Sequence, residues 1–549
     1  MKSVNILSFL DQKTRELENC VALGTRTNLG WSELTYKGLS VLSEKVGSYL
    51  ISLGMNKTDK AAIISESMPE FGAVIFGSFL AGVTIVPLDV KLTIHEYTHI
   101  LTDCLPKVIF TSETYLETAK KIKEVVPSIE NIVIIDSKKT NDEYTNLYAI
   151  EANPEQKWRH QRLDKTAMIV YTSGTTGNPK GVEITYRNIL SQVNSIGKCF
   201  DIGPSDSTLS FLPMNHLYEI SVGFMSFLNK GASIYYSHSL KPKDIMSVMN
   251  TKKISFMATV PSFLKLLKST LEAEVRQYGP FKKSFYNLKY AIASTLKNDF
   301  ISKLFFRELR MKFGPKFKFF LSGGAPLEHE VGRFFETIGV TIYEAYGLSE
   351  ASPVVSVNRP KYRRLGSVGK ALPDVKVRVD SKTQELQVMG ENVMKGYYNK
   401  PEMTKEAFTQ DGWLKTGDIA KISKHGFIYI TGRLKNMIVL SGGKKVFPEE
   451  VEAVLSKSAL IEEVLVYSEK RKTGSKQGSE EIVAKIYPGK KAVEEHSKEE
   501  LEKLVRSEVK RLSLELSQYK RPTNIEVSFE PLPRTGISKI SRKAVVATK

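Results

Sequence analysis

Cysteine is scarce in this chain. Cys20, Cys104 and Cys199 are all it has, an odd number with no CxxC spacing, which excludes a disulfide framework and a zinc site and points to a reducing compartment. Carboxylates are outnumbered, with 60 Asp+Glu against 79 Lys+Arg, a net charge of +19. That surplus suits anionic ligands, phosphates, acidic lipid surfaces or nucleic acid without choosing among them. No fixed-period repeat or low-complexity tract occurs, so fibrous architectures are excluded. The opening residues, MKSVNILSFLDQKTRE, hold an apolar stretch ended by Asp11 that is too brief for a signal-peptide core. Long hydrophobic runs are nearly missing as well. Phe71 to Leu88 is 18 residues without a charge, near the length that spans a bilayer. Gly82 and Pro87 punctuate it, and the spacing predicts a buried helix through Leu80 followed by a strand, VTIVPLD.

What is present is the composition of packed globular domains: 41% hydrophobic and 25% charged residues over 549 positions, enough for roughly three to four folding units. Up to about residue 430, helical patterns alternate with short β-branched runs such as KAAIIS, VTIVPL, KVIFTS, NIVIID, AMIVYTS, ASIYYS and ISFMATV. That rhythm predicts a large α/β region with more than one sheet. After Arg433 the pattern restarts as a smaller unit, with NMIVL, EEVLVYS, EIVAKIYP and NIEVSF as strands and PEEVEAVLSKS and KEELEKLVRSEVKRLSLELS as helices. Pro448, followed by Glu449 and Glu450, marks the start of the first of these helices.

Residues 281 to 320 hold ten Lys/Arg against Asp299 and Glu308, interleaved with eleven aromatic residues. Two readings are open: a solvated helical face whose aromatics are core, or a face that meets anionic lipid headgroups. RNA is a poorer third, since no RNP-type signature accompanies the stretch.

The sharpest chemical signal is YTSGTTGNPKGVEIT, Tyr171 to Thr185. A buried strand runs into a loop of small hydroxylated residues, two glycines and a lysine before another strand begins. Glycines let the backbone approach anionic oxygens, Ser173, Thr175 and Thr176 add hydroxyl donors, and Lys180 adds positive charge, so the loop can wrap phosphates. It is not a Walker A loop, which requires GxxxxGK[ST]; from Gly174, Pro179 precedes Lys180 and Gly181 follows it.

This loop resembles the phosphate-loop signature of the adenylate-forming superfamily, which includes the acyl-CoA synthetases, the luciferases and the peptide-synthetase adenylation domains. Companion blocks follow in the order the family has them: PMNHLYE (213–219), LSGGAPL (321–327), YEAYGLSE (343–350), TGD (416–418), GRLKNMIVLSGGKKVFPEEVE (432–452) and PRTGISKISR (533–542). The resemblance covers nearly the whole chain. It implies a large N-terminal adenylation domain (1–432) of two α/β sheets plus a β-barrel-like region, and a small mobile α+β C-terminal domain (433–549). It also implies activation of an acid with ATP and Mg2+.

Transferred residue by residue, the resemblance implies a nucleotide site of Thr172, Ser173, Gly174, Thr175, Thr176, Gly177 and Lys180 around the phosphates. Gly323, Gly324 and Ala325 would leave space for the adenine, with Tyr346 stacking on the base; Glu344, Ala345 and Gly347 belong to the same nucleotide site, and Ser349 would contact phosphate through its hydroxyl. Glu350 resembles the magnesium ligand, with Thr176 beside it. Asp418 resembles the carboxylate that accepts from the ribose hydroxyls, and Arg433 the cation beside it. Lys539 resembles the catalytic lysine whose ammonium bridges the incoming carboxylate and the α-phosphate, with Lys180, Thr176 and Glu350 as its catalytic company. Lys435 falls where the family places its hinge, and Gly442 and Gly443 where the pantetheine arm of CoA passes. His216 and Tyr218 resemble residues near the acyl entrance. Three positions depart from the usual pattern: Ser349 for threonine, Ser538 for glycine and Tyr186 for histidine.

The version of these blocks resembles long-chain acyl-CoA synthetases. The implied reaction is activation of a fatty acid to acyl-AMP and its capture by CoA, at a cytoplasmic site on or near the inner face of a membrane. Acyl carrier protein as acceptor, a catalytically dead nucleotide-binding regulator, and a membrane-spanning transporter that activates its cargo are the alternatives. No nucleic acid partner is implied, and oligomeric state stays open.

Overall fold

The computed structural model describes residues 6–27, 30–137, 144–153, 155–159, 161–172, 179–237, 239–440, 444–458, 460–470, 480–534, 540 and 542–547. The chain divides into two compact units, Met1–Val377 with Val388–Leu414, and Arg378–Gln387 with Lys415–Lys549. The second unit thus takes in Lys415 to Gly432 as well as the residues from Arg433 onward. The reason is strand pairing: Leu414–Ile422 and Ile428–Arg433 form a hairpin in one sheet with Glu385–Met389 and Lys376–Val379.

The first unit is built on two large sheets. The eight-stranded one runs Gly396–Tyr397, Lys180–Thr185, Thr166–Thr172, Thr84–Leu88, Lys60–Ile64, Val108–Thr111, Asn131–Ile134, Thr145–Asn146. From Thr166–Thr172 to Asn131–Ile134 its pairs are parallel, with crossover helices between Lys60–Ile64, Thr84–Leu88, Val108–Thr111 and Asn131–Ile134, which is why those strands read as continuous apolar runs rather than alternating ones. The nine-stranded sheet runs from Lys370–Ala371 through Val354–Val357, Thr341–Gly347, Phe319–Ser322, Phe256–Thr259, Ser207–Ser210, Ser233–Tyr236 and Val21–Thr27 to Gly30–Thr35. Beyond Thr341–Gly347, Val354–Val357 and Lys370–Ala371 extend the nine-stranded sheet antiparallel.

The uncharged run resolves as its punctuation predicts, into the helix Pro69–Ala81 and the strand Thr84–Leu88. Gly82 turns the chain between them at φ 71°, a left-handed conformation that favours glycine. The helix is apolar all round because it is enclosed: Phe71, Val74, Ile75, Phe76 and Phe79 are all fully buried, in one core with Phe224 and Phe227 from the neighbouring layer and Phe256 of the nine-stranded sheet. No described helix is long and apolar enough to cross a membrane. All three cysteines are free thiols.

In the second unit, Glu463–Lys470, Glu480–Tyr487 and Asn524–Val527 form a three-stranded sheet. The helices Pro448–Leu455 and Lys498–Ser513 close its core through Val451, Leu455, Leu501, Val505 and Val509. Ser497 and Glu500 form a reciprocal capping box at the start of the longer helix, satisfying donors that a helix N-terminus leaves open.

Candidate active site

In the first unit the strands Thr166–Thr172 and Lys180–Thr185 pair antiparallel, and their register sets Thr172 opposite Lys180. The residues that link them, Ser173, Gly174, Thr175, Thr176 and Gly177, lie outside the described residues, as do Gly442, Gly443, Ser538 and Lys539. At the base of that hairpin Thr172 Oγ1 is buried and has no hydrogen-bond partner among the described residues. An orphan hydroxyl of this kind is costly unless a ligand or water satisfies it.

Lys180 carries the positive charge of the site. Its Nζ donates to Tyr397 Oη at 2.5 Å and stands 3.2 Å from Glu350 Oε1. The Tyr397 hydroxyl in turn donates to Glu350 Oε1 at 2.8 Å, and the ammonium also lies 3.9 Å from the Tyr397 ring centroid. Burial, reinforced by the Glu350 charge, pushes the Tyr397 phenol far above its ordinary range, so the hydroxyl keeps its proton and the hydrogen-bond direction is fixed: ammonium to phenol to carboxylate. The Glu350 and Lys180 side chains are 15% and 20% exposed, a degree of burial at which charge–charge contacts outweigh surface ion pairs.

Tyr397 reaches this position through a two-residue strand. Gly396 and Tyr397 pair with Glu183 and Val182, Tyr398 N–H donates to Gly181 O at 2.8 Å, and Thr404 Oγ1 accepts from Tyr397 N–H at 2.8 Å. Glu350 sits in the short 3-10 turn Ser349–Ala351, and its carbonyl accepts from Met394 N–H at 2.9 Å. The sequence motifs pair Lys180 with Glu350 but omit Tyr397. The signal that could have found it is the aromatic pair in GYYNKPEMT, two tyrosines after a glycine in an otherwise polar stretch.

Around this cluster, Thr341–Gly347 carries the YEAYG residues. Ala345 is buried and Tyr346 half-buried. Gly347 is required sterically, since a Cβ there would fall 1.8 Å from Pro353 O. Glu344 turns its carboxylate inward, where it accepts from Gly366 N–H at 3.0 Å and burial raises it to about 7. Tyr218 Oη donates to Leu321 O at 2.9 Å and its ring packs against Gly323, so PMNHLYE and LSGGAPL meet. Gly324 and Ala325 are exposed beside them. His216 caps a turn, its carbonyl accepting from Glu219 and Ile220 N–H. Tyr186 is core rather than site, fully enclosed with its ring edge-on to Phe79.

In the second unit, the register of Leu414–Ile422 with Ile428–Arg433 sets Asp418 opposite Arg433, and Arg433 Nε lies 2.8 Å from Asp418 Oδ1. Asp418 is 3% exposed, so its charge is held by a partner, as a buried carboxylate requires. Lys435 is exposed in the turn Leu434–Asn436, which Asn436 ties to Glu449 at 2.5 Å.

A sequence model of the AMP-binding enzyme family matches residues 11–398. The chain belongs to that family. Among relatives of this AMP-binding enzyme, the long-chain-fatty-acid–CoA ligase FadD15 of Mycobacterium bovis is 28% identical over 456 residues, covering 79% of this chain and 75% of the relative. Long-chain-fatty-acid–CoA ligase 1 of Cavia porcellus is 30% identical over 480 residues, covering 79% and 68%. In fold, the AMP-binding enzyme is similar to ATP-bound MatB from Rhodopseudomonas palustris, with a TM-score of 0.78 at 22% identity over 99% of both chains.

The residues present fit a magnesium ion. A hard cation that stays partly hydrated and bridges phosphates needs one or two carboxylates, not a cage. Glu350 supplies one such carboxylate, while no group of three or more His, Cys, Asp or Glu that could hold a metal occurs among the described residues.

Proposed function

We propose that this AMP-binding enzyme is an AMP-forming ligase that joins a long-chain fatty acid to CoA. The fatty-acid carboxylate attacks the α-phosphorus of ATP, pyrophosphate leaves, and the acyl-AMP so formed is attacked at its carbonyl by the CoA thiolate, which expels AMP. The observation that carries the reading is the Lys180–Tyr397–Glu350 chain at the root of a Gly/Ser/Thr loop, a cation and a carboxylate held together where a triphosphate would separate them. The acyl class is supported by the relatives, which are named as long-chain-fatty-acid–CoA ligases.

In this mechanism Lys180 exchanges Glu350 for phosphate oxygens when ATP arrives, and Tyr397 keeps both side chains aimed at the same point. Bound magnesium would neutralise phosphate charge and would be held by Glu350, with the Thr176 hydroxyl beside it. Asp418 accepts from the ribose hydroxyls and Arg433 holds the same side of the nucleotide. Lys539 stabilises the charge that builds on the α-phosphate, and Lys435 is the hinge between the two half-reactions. Gly442 and Gly443 leave room for the pantetheine arm. The functional boundary between the adenylation domain and the mobile domain is proposed at 432/433, beside that hinge. A reducing cytoplasmic site fits the free thiols, and the low solubility of the acid makes an anionic membrane surface its natural source.

The test is pyrophosphate release over a panel of carboxylic acids, repeated with CoA and with acyl carrier protein. Release only with long-chain acids, and thioester only with CoA, is the expected result. Thioester on the carrier protein alone would reassign the acceptor, and no release with any acid would overturn the reading.

A further inference from the structure

The helix Pro280–Leu296 has two apolar faces where an ordinary surface helix has one. Tyr286, Tyr290 and Ala293 face inward, with the Tyr286 and Tyr290 rings packed on Phe306 and Tyr290 also on Phe334. Phe281, Phe285, Leu288, Ile292 and Leu296 recur at the same three-to-four spacing on the opposite side, and all are exposed, Phe281 by 94%. The next helix, Asp299–Phe305, repeats the pattern with Phe300 at 75% and Leu304 at 63% exposed. Seven large apolar side chains in solvent on two successive helices are more than scattered surface hydrophobics explain.

Charge accompanies the stripe. The first helix carries Lys282, Lys283 and Lys289 and no carboxylate. Lys297 caps its end, and Lys303 follows on the second helix. Lys289 lies over the Phe285 ring at 4.2 Å, at the edge of the apolar stripe. Lys283, Lys289 and Lys297 have no carboxylate partner among the described residues, whereas Lys282 and Lys303 pair with Glu308 and Asp299. The turn between the helices is fixed by Asn298, whose side chain accepts from Phe300 and Ile301 N–H. The stripe is therefore held outward by a packed scaffold.

We propose that the outer face of Pro280–Leu296 and Asp299–Phe305 is a lipid-docking surface. Phe281, Phe285, Leu288, Ile292, Leu296, Phe300 and Leu304 enter the headgroup–acyl boundary of an anionic bilayer, and Lys283, Lys289 and Lys297 meet the headgroup phosphates. Charge complementarity selects this occupant: an apolar stripe edged by cations matches an interface that is apolar within and anionic at its rim. A purely acidic protein surface would pair the lysines and leave the phenylalanines in water. The inference deepens the fatty-acid reading by naming where the enzyme would meet its substrate's reservoir, and it is tested apart from it.

The experiment is co-sedimentation of the full chain with phosphatidylcholine vesicles, with and without phosphatidylglycerol. The variants are F281S/F285S/F300S and K283E/K289E/K297E, each checked by circular dichroism and by ATP–pyrophosphate exchange with a long-chain acid dispersed in detergent, without vesicles. The wild type binds the anionic vesicles. The serine variant loses binding by about tenfold or more at any salt, the glutamate variant by a similar factor that shrinks as salt rises, and both keep their exchange activity. Wild-type binding equalled by both variants, or no vesicle binding at all, overturns the proposal. So does a wild-type dimer that the serine variant dissociates while vesicles are ignored, because the face would then be a contact between copies. Absence of exchange activity in every protein would instead count against the ligase reading and leave the vesicle result to stand by itself.

Discussion

Tyr397 donates its hydroxyl to Glu350 Oε1 at 2.8 Å while the same oxygen accepts from Lys180, so one phenol bridges the cation and the anion of the site. Phenylalanine at 397 keeps the ring and its cation–π contact and removes only the bridge. Hydrogen bonds to charged groups contribute about 1.5–3 kcal/mol, so Y397F should lower kcat/KM for ATP by roughly tenfold to hundredfold in pyrophosphate exchange, with little change in thermal stability. Exchange at the wild-type rate would remove Tyr397 from the site.

Lys539→Ala separates the half-reactions. Adenylate formation should fall by orders of magnitude, while thioester formation from supplied acyl-AMP continues near the wild-type rate. Equal loss of both steps would contradict the role given to this lysine.

Lys435→Pro should have the reverse signature. Proline fixes φ and restricts the residue before it, so a hinge there stiffens: acyl-AMP should accumulate at a normal rate and thioester formation should stop. Unimpaired overall turnover would dispose of the hinge.

Glu219 yields a pH prediction. It is buried, both carboxylate oxygens lack partners among the described residues, and burial raises it from the ordinary 4.5 to about 7. The folded chain therefore holds a proton that the unfolded chain releases. Stability from this group is unaffected below about pH 4.5, falls as pH rises toward 7, and levels off above that, a loss on the order of 3 kcal/mol. Gln mimics the protonated form, so E219Q should unfold at a higher temperature than wild type at pH 8 and nearly the same temperature at pH 4.5. Parallel melting-temperature profiles across that range would contradict a buried neutral acid.

Much of this architecture is legible in the sequence because the signals are local. The strand–loop–strand around Lys180, the split of the apolar run at Gly82, and the elements after Arg433 all follow from periodicity and turn residues a few positions apart. So does the cross-strand pair of Asp418 and Arg433, once the hairpin is recognised. What is not legible is long-range. Tyr397 is placed by a two-residue strand against residues more than two hundred positions earlier, too short to leave a pattern. The inward turn of Glu344 and the enclosure of Glu219 depend on what packs over them, which no spacing encodes. In residues 281 to 320 the aromatics divide: Tyr286, Phe306, Phe313 and Phe320 are packed into the core, as the first reading expects, whereas Phe281, Phe285 and Phe300 are exposed.

The pairing of Gly396–Tyr397 with Lys180–Thr185 also bears on biosynthesis. Because 217 residues separate Lys180 from Tyr397, a ribosome working at ~5–20 residues per second needs roughly ten to forty seconds to deliver the closing strand. Throughout that interval the lysine's own strand is an unprotected sheet border on a nascent polypeptide, open to mispairing. A product truncated anywhere before Tyr397 would keep that border permanently.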